Sequence, residues 1–234
     1  MHSSSAPVPD VSIILPCAGF ATRFGAPYSK ELHCLSPGVT VLDRSLEAAV
    51  ELAKSGLNVR LVVVFRAHKL DTVSYLARYA EMFQIVFVYQ DDSFEPGLDG
   101  AIRSGLPMAQ GPVALVLPDI VVSGEGSAGS LLAAMRHIGR TGWSVVAAEE
   151  RDPGTLQQMG ALAVIEEGGV LTVKAAVDKP TDPSGYNAFW GMVMAAEQEA
   201  HRLPDVVSEG VDSPLAGAVA FMAERIVNYN TTAG

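Results

Sequence analysis

Residues 15 to 32, LPCAGFATRFGAPYSKEL, hold Arg23 and Lys30 seven positions apart in a stretch otherwise rich in small residues. Arginine offers a planar fork of donors that matches phosphate oxygens, and lysine offers a compact point charge. Ala18, Gly19 and Ala21 let backbone N–H groups approach the same oxygens closely. Such a loop can grip a phosphate chain. Further on, Asp119 stands just beyond the apolar run of PVALVLPD. A carboxylate there is placed for a Mg²⁺ ion that bridges triphosphate oxygens.

The charge balance gives these cations weight. The 234-residue chain has a formal net charge of −10, which argues against broad binding to nucleic acid or an anionic membrane. Its lysines are Lys30, Lys54, Lys69, Lys174 and Lys179. An acidic protein that binds anions must gather its few cations at the site. With 49% apolar residues the chain has material for a large core. No apolar run is long enough to span a bilayer. The lead MHSSSAPVPD, residues 1–10, has no secretion-signal pattern and reads as a short flexible segment. Cys17 and Cys34 have neither metal-site nor disulfide-framework spacing, so a reducing cytoplasm is the expected location.

The elements that must position these groups follow an alternating pattern. Val11–Leu15, VRLVVVF, IVFVY, PVALVLPD and WSVVAAE read as buried strands. Helical spacing separates them, in TVLDRSLEAAVELAKSG up to Gly56, in Leu70–Phe83, Asp99–Met108 and Ser127–Ile138. This repetition predicts an α/β fold with a Rossmann-like, mixed but mainly parallel sheet and helices on both faces. After about residue 150 the texture changes. GALAVIEEGGVLTVKAAVDKP reads as a hairpin turning at Gly168–Gly169, and NAFWGMVMAA as a buried strand. Two helices are expected to follow, the last over Pro214–Ile226. The expected organisation is one domain, 11–234, with a nucleotide-binding half (11–150) and an acceptor-binding half (151–234).

The opening loop is not a dinucleotide fingerprint. That motif wants G-x-G-x-x-G after the strand, and here the letters are Gly19, Ala21 and Phe24. A Walker loop needs G-K-[ST], which is also absent. What remains is a long irregular loop at the carboxyl edge of a parallel sheet, where such folds bind ligands.

The stretch resembles the signature of nucleotidyltransferases with the sugar-phosphate pyrophosphorylase fold, approximately AAGxGTRfxP…PKxL. Gly19, Thr22, Arg23, Lys30 and Leu32 match; Cys17, Ala21 and Ser29 depart from it, and Phe20 fills a variable position. The short gap from arginine to lysine is closer to the cytidylyltransferase branch. The resemblance implies a nucleotide site at Ala18, Gly19, Phe20, Ala21 and Thr22. Gly97-Leu98-Asp99-Gly100-Ala101 resembles the turn that holds the nucleobase, with Gln90 and Gly97 as base readers; Asp99 is also a candidate helix cap. Asp119 corresponds to the family's metal ligand. VDKP resembles the EKP motif, implying that Lys179 binds the acceptor phosphate and Asp178 its hydroxyls. YNAFWGMVMA resembles the acceptor-wall strand, with Asn187 and one of Phe189 and Trp190 facing the acceptor. SEGVDSPLAG brings Glu209 and Asp212, the latter either a further metal ligand or a helix cap.

The activity so implied joins a pyrimidine triphosphate, CTP ahead of dTTP or UTP, to a sugar 1-phosphate or a small phosphonate, with Mg²⁺ and release of pyrophosphate. Arg23, Lys30 and Lys179 would be its catalytic cations. Relatives often form homo-oligomers. The chain stops before any W-x-D-x-G-T motif, which carries a second metal-binding aspartate in many relatives. An inactive nucleotide-binding regulator would explain that absence, and an NAD-dependent oxidoreductase is the weaker rival. Arg66, His68 and Lys69, in RAHKLDTV at a strand-to-helix junction, form a basic helix start that could face the acceptor but more often is solvated surface, and they stand outside the catalytic set.

Overall fold

A computed structural model describes residues 8–20, 27–91, 93–94, 97–123, 127–208 and 212–229. The first half holds β1 (Val11–Pro16), a small hairpin of β2 (Cys34–Ser36) and β3 (Val39–Thr40), β4 (Val59–Phe65), β5 (Gln84–Tyr89), β6 (Val113–Val116) and β7 (Ile120–Ser123). Its helices are α1 (Val41–Ser45), α2 (Glu47–Lys54), α3 (Leu70–Leu76) and α4 (Leu98–Gly105). Then come α5 (Ser127–Thr141), β8 (Trp143–Glu149), α6 (Pro153–Leu156), β9 (Gly160–Glu167), β10 (Val170–Asp178), β11 (Ala188–Ala195), β12 (Val219–Met222) and β13 (Arg225–Asn228).

Nine strands form one sheet in the order β5-β4-β1-β6-β11-β8-β12-β10-β9, and β9 also pairs back onto β11. The β5-β4-β1-β6 half is parallel throughout. β11 inserts antiparallel between β6 and β8, and β12 runs parallel to β8. The β9–β10 hairpin is antiparallel, so the reversed strands gather in the second half of this mixed sheet.

Strand alternation divides the core between the two faces. Ile13 and Leu15 point to the side covered by α1, α2 and α5, while Ile14, Val62 and Val64 meet α4 and the 3-10 helix Glu197–Val206. On that second face Gly105 lets α4 close onto the sheet, because a Cβ there would stand 2.9 Å from Val64 Cγ2. β11 is buried along its whole length, as a strand covered on both faces must be.

Several element boundaries differ from the sequence-based expectation. The first expected helix is broken at Leu46 into α1 and α2, and α1 starts on a capping box between Thr40 and Asp43. Leu70–Phe83 is helical only to Leu76 and continues as a 3-10 turn.

The expected closing helix over Pro214–Ile226 is not formed. A 3-10 helix, Glu197–Val206, follows β11, and β12 and β13 occupy the rest. Two short apolar runs there meet open strand edges, β12 beside β8 and β13 beside β7. Gly217 turns the chain at φ 86° between the two regions. Apolar runs this short do not distinguish helix from strand by periodicity, and the available edges decided the outcome.

Candidate active site

The carboxyl ends of β1, β4 and β6 lie side by side because these strands are parallel. The segments that follow them open a cavity of about 260 Å³. Pro16–Gly19 leave β1, Leu117–Asp119 leave β6, and Gly97–Leu98 begin α4 at its rim. The far side comes from the second half: Gly160 and Asp178, paired in register at the base of the β9–β10 hairpin, and Trp190 on β11.

Of the five lysines, Lys30, Lys69 and Lys179 line this cavity. Each is paired with a carboxylate. Lys30 Nζ bonds Asp119 Oδ2, Lys69 Nζ lies 2.9 Å from Glu31 Oε2, and Lys179 Nζ lies 2.9 Å from Asp178 Oδ2. Lys54 and Lys174 instead make exposed pairs with Glu51 and Glu167 on the surface. Scarce cations are therefore concentrated where the chain has a cavity, each held by an internal counter-ion.

The local supports of these groups are specific. Lys30 follows Ser29, whose N–H and hydroxyl donate to the two Asp71 carboxylate oxygens at 3.0 and 2.7 Å. Burial alone would raise the Asp71 pKa, but the Ser29 and Thr72 hydrogen bonds outweigh it and hold the carboxyl below its ordinary value. Asp119 lies in the turn between β6 and β7. The Tyr229 N–H donates to its backbone carbonyl at 2.9 Å, and Ser45 Oγ donates to the Pro118 carbonyl at 3.1 Å. The C-terminal strand thus helps to fix the turn that carries Asp119.

Lys179 is, among the described residues, the one non-glycine residue at positive φ, 49°. It also precedes Pro180, which restricts it further. Such backbone costs on the order of 1–3 kcal/mol and tends to mark sites of function. Its N–H donates to the Met159 carbonyl at 3.0 Å, which ties it to the segment entering β9.

Trp190 is 4% exposed and faces the cavity, while Phe189 packs into the core on the other face. Alternation along β11 makes this division.

The other expected residues divide between this cavity and places outside it. Ala18, Gly19 and Gly97 line the cavity. Gly97 has φ 134°, a left-handed backbone that favours glycine, and it occupies the N-cap of α4. Asp99 therefore does not cap the helix; it sits in the first turn and bonds Arg103 Nε at 2.9 Å. Phe20 is exposed and stacks on His68 at 4.8 Å between ring centroids. Gln90, at the end of β5, is 1% exposed. Its Oε1 accepts from Arg66 Nε at 3.2 Å, its buried Nε2 has no hydrogen-bond partner among the described residues, and Gln90 is not part of the cavity lining.

Asn187 is spent on structure: its Oδ1 accepts from the Val164 N–H and its Nδ2 donates to the Val164 carbonyl, both at 2.8 Å. Asp212 lines a neighbouring cleft of about 500 Å³ that shares Asp178 and Lys179 with the first cavity but does not include Asp119. With no helix following it, Asp212 is not a helix cap. Ala21, Thr22, Arg23 and Glu209 lie outside the described residues.

Glu31 and Lys69 were absent from the expected site. Both side chains are buried, and Thr72 Oγ1 donates to Glu31 Oε1 at 2.8 Å. Cys17 lies near both inner ion pairs. Burial first, and then the Glu31 charge, push its thiol well above the ordinary value. The scarcity of lysine was the signal that pointed to Lys69, and the adjacent basic residues of RAHK masked it as a solvated helix start.

No family model and no curated protein sequence matches the chain. Its fold does match solved structures. A UDP-glucose pyrophosphorylase from Acinetobacter baumanii is 17% identical with a TM-score of 0.67, covering 96% of this chain and 90% of that one. A UDP-glucose pyrophosphorylase complexed with UDP-glucose is 18% identical with a TM-score of 0.70, covering 95% and 94%. A Bacillus anthracis protein, named as a candidate glucose-1-phosphate thymidylyltransferase, is 13% identical with a TM-score of 0.71, covering 95% and 91%. The chain has the fold of the sugar-phosphate nucleotidyltransferases over nearly its whole length.

Proposed function

We propose that this protein is a nucleotidyltransferase that joins a pyrimidine nucleoside triphosphate to a small phosphorylated acceptor and releases pyrophosphate. The observation that carries the reading is the gathering of Lys30, Lys69 and Lys179 with Asp119 in one cavity at the strand ends. The likeness of fold to enzymes named for UDP-glucose and thymidylyl transfer supports it. So does the order of Arg23, Lys30, Asp119 and Lys179 along the sequence.

In this reaction an anionic oxygen of the acceptor's phosphate or phosphonate attacks the α-phosphorus in line. The new P–O bond forms as the bond to the β-phosphate oxygen breaks, and the electron pair leaves with pyrophosphate. The attacking oxygen is already ionised, so no strong general base is required. The protein's work is to align two polyanions and offset their repulsion. Lys30, with Arg23 seven positions before it in the sequence, would hold the triphosphate and the leaving group. Lys179 would hold the acceptor phosphate, and Trp190 would wall the acceptor. Gly19 and the start of α4 offer backbone donors at the cavity.

The residues present fit Mg²⁺. Among the described residues no group of three His, Cys, Asp or Glu side chains could cage a metal. Mg²⁺ is commonly held by one or two carboxylates together with substrate phosphates and water. Asp119 supplies one such carboxylate, and the ion would neutralise phosphate charge. Lys30 and Asp119 pair with each other in this structure; Asp119 would be the residue to hold the ion, and Lys30 would then be available to phosphate.

For the finer choice, the short sequence gap from Arg23 to Lys30 favours CTP, and the altered acceptor motifs make a phosphonate acceptor a candidate beside a sugar 1-phosphate. A pyrophosphate-release matrix tests all of this, with CTP, UTP, dTTP, ATP and GTP against sugar 1-phosphates and phosphonates. Release is expected with a pyrimidine triphosphate. Triphosphate binding without release in any cell would establish a binding protein instead.

A further inference from the structure

We propose that Lys69, held in place by Glu31, is a third phosphate-binding lysine and a fixed part of the triphosphate site; this rests on the nucleotidyltransferase reading above. Lys69 and Glu31 are 2% and 1% exposed, yet both line the cavity. Lys69 Nζ donates to Glu31 Oε1 at 3.1 Å and Oε2 at 2.9 Å. An ammonium group has three N–H donors, so among the described residues one is left over. The Thr72 hydroxyl donates to Oε1 of the same Glu31 carboxylate and helps to hold it in place.

A buried ion pair is a poor device for stability alone, since two apolar side chains of similar volume commonly serve as well. At a cavity wall it has another use. The Lys30–Asp119 and Lys179–Asp178 pairs are partly exposed, with lysine side-chain exposures of 18% and 63%. Those pairs are reached by solvent and would exchange partners with an arriving polyanion. Lys69 is held by both oxygens of a buried carboxylate and stays put. A cation whose position is set before the ligand binds needs no reorganisation as charge develops, which is the arrangement that favours a transition state most.

The test uses the double substitution Glu31→Gln with Lys69→Met, which removes both buried charges and leaves neither orphaned. Its melting temperature should stay within a few degrees of wild type, while the Kd for the wild type's preferred triphosphate rises at least tenfold. A folded double variant that binds this triphosphate as tightly as wild type overturns the proposal and leaves the nucleotidyltransferase reading standing. Wild-type protein that binds no triphosphate overturns both. A second measurement needs no variant. In ¹⁵N-lysine-labelled wild type, the buried Lys69 ammonium should exchange slowly, and its resonance should move on addition of inorganic tripolyphosphate. A resonance unmoved at saturation overturns the proposal as well.

Discussion

The Trp190 indole lies across Gly160: a Cβ built on Gly160 would stand 1.8 Å from Trp190 Nε1. One strand carries no side chain at the point where its neighbour carries the largest one. This lets β9 and β11 pair while the indole forms the cavity wall. Gly160→Ala must push the ring away, since overlap of this size is not absorbed by small shifts. A loss of about 1–3 kcal/mol is expected in denaturant unfolding. The KM for the acceptor should rise more than the KM for the triphosphate. Equal changes in both would show that Trp190 does not wall the acceptor side.

The Lys30–Asp119 pair separates charge effects from packing. Lys30→Met and Asp119→Asn should each lower kcat/KM by at least about tenfold, on the order of 1.4 kcal/mol of transition-state stabilisation. Asp119→Asn should also shift the Mg²⁺ concentration for half-maximal rate upward, whereas Lys30→Met should not. Chelation of Mg²⁺ should abolish turnover and be reversed by its return.

Arg23→Ala and Lys179→Ala address the two ends of the reaction. Arg23→Ala should lower the rate of the chemical step, and Lys179→Ala should act mainly through the acceptor KM. Each is expected to cost at least about tenfold in turnover at fixed subsaturating substrate. Steady-state kinetics on both variants check this, and full activity in both would show that the cations of the reaction lie elsewhere.

Acid stability should depend on Asp43. Burial alone would raise its pKa, but hydrogen bonds from Tyr75, the Thr40 N–H and Tyr79 outweigh that and hold it below the ordinary value. The Tyr75 and Tyr79 hydroxyls donate to it at 2.6 and 2.7 Å. A carboxyl depressed in the folded state contributes stability above its unfolded pKa, about 3.9, which is lost as pH falls through the folded value. Asp71 adds to the same limb, because its pKa is also lowered. Asp43→Asn should therefore reduce stability at neutral pH and flatten its decline below about pH 4. Urea midpoints measured from pH 3 to 7 check the slope.

The two thiols should differ sharply. Cys17 is 2% exposed with its pKa raised by burial, and Cys34 is exposed. The thiolate is the reactive species. Native protein at pH 8 should thus titrate one thiol rapidly with a disulfide reagent, and the second only after unfolding. Two fast thiols would mean that the floor of the cavity opens readily.

The sequence by itself determined the parallel half of the sheet. Val11–Pro16, Val59–Phe65 and Val113–Val116 are apolar runs interrupted only by Ser12 and Arg60, and runs of this kind separated by helical periodicity leave few alternatives. It also placed the hairpin at Gly168–Gly169 and set Asp119 and Lys179 just past strand ends, because turn chemistry is a local signal. Three things were decided only in the tertiary structure. β12 and β13 became strands because β7, β8 and β10 had open edges, which no short apolar run announces. Asn187 went to the Val164 backbone because β9 came beside it. Lys69 became part of the cavity because Glu31, far from it along the chain, arrived to accept its charge in the interior. Burial of an ion depends on a partner that the sequence supplies only through the fold.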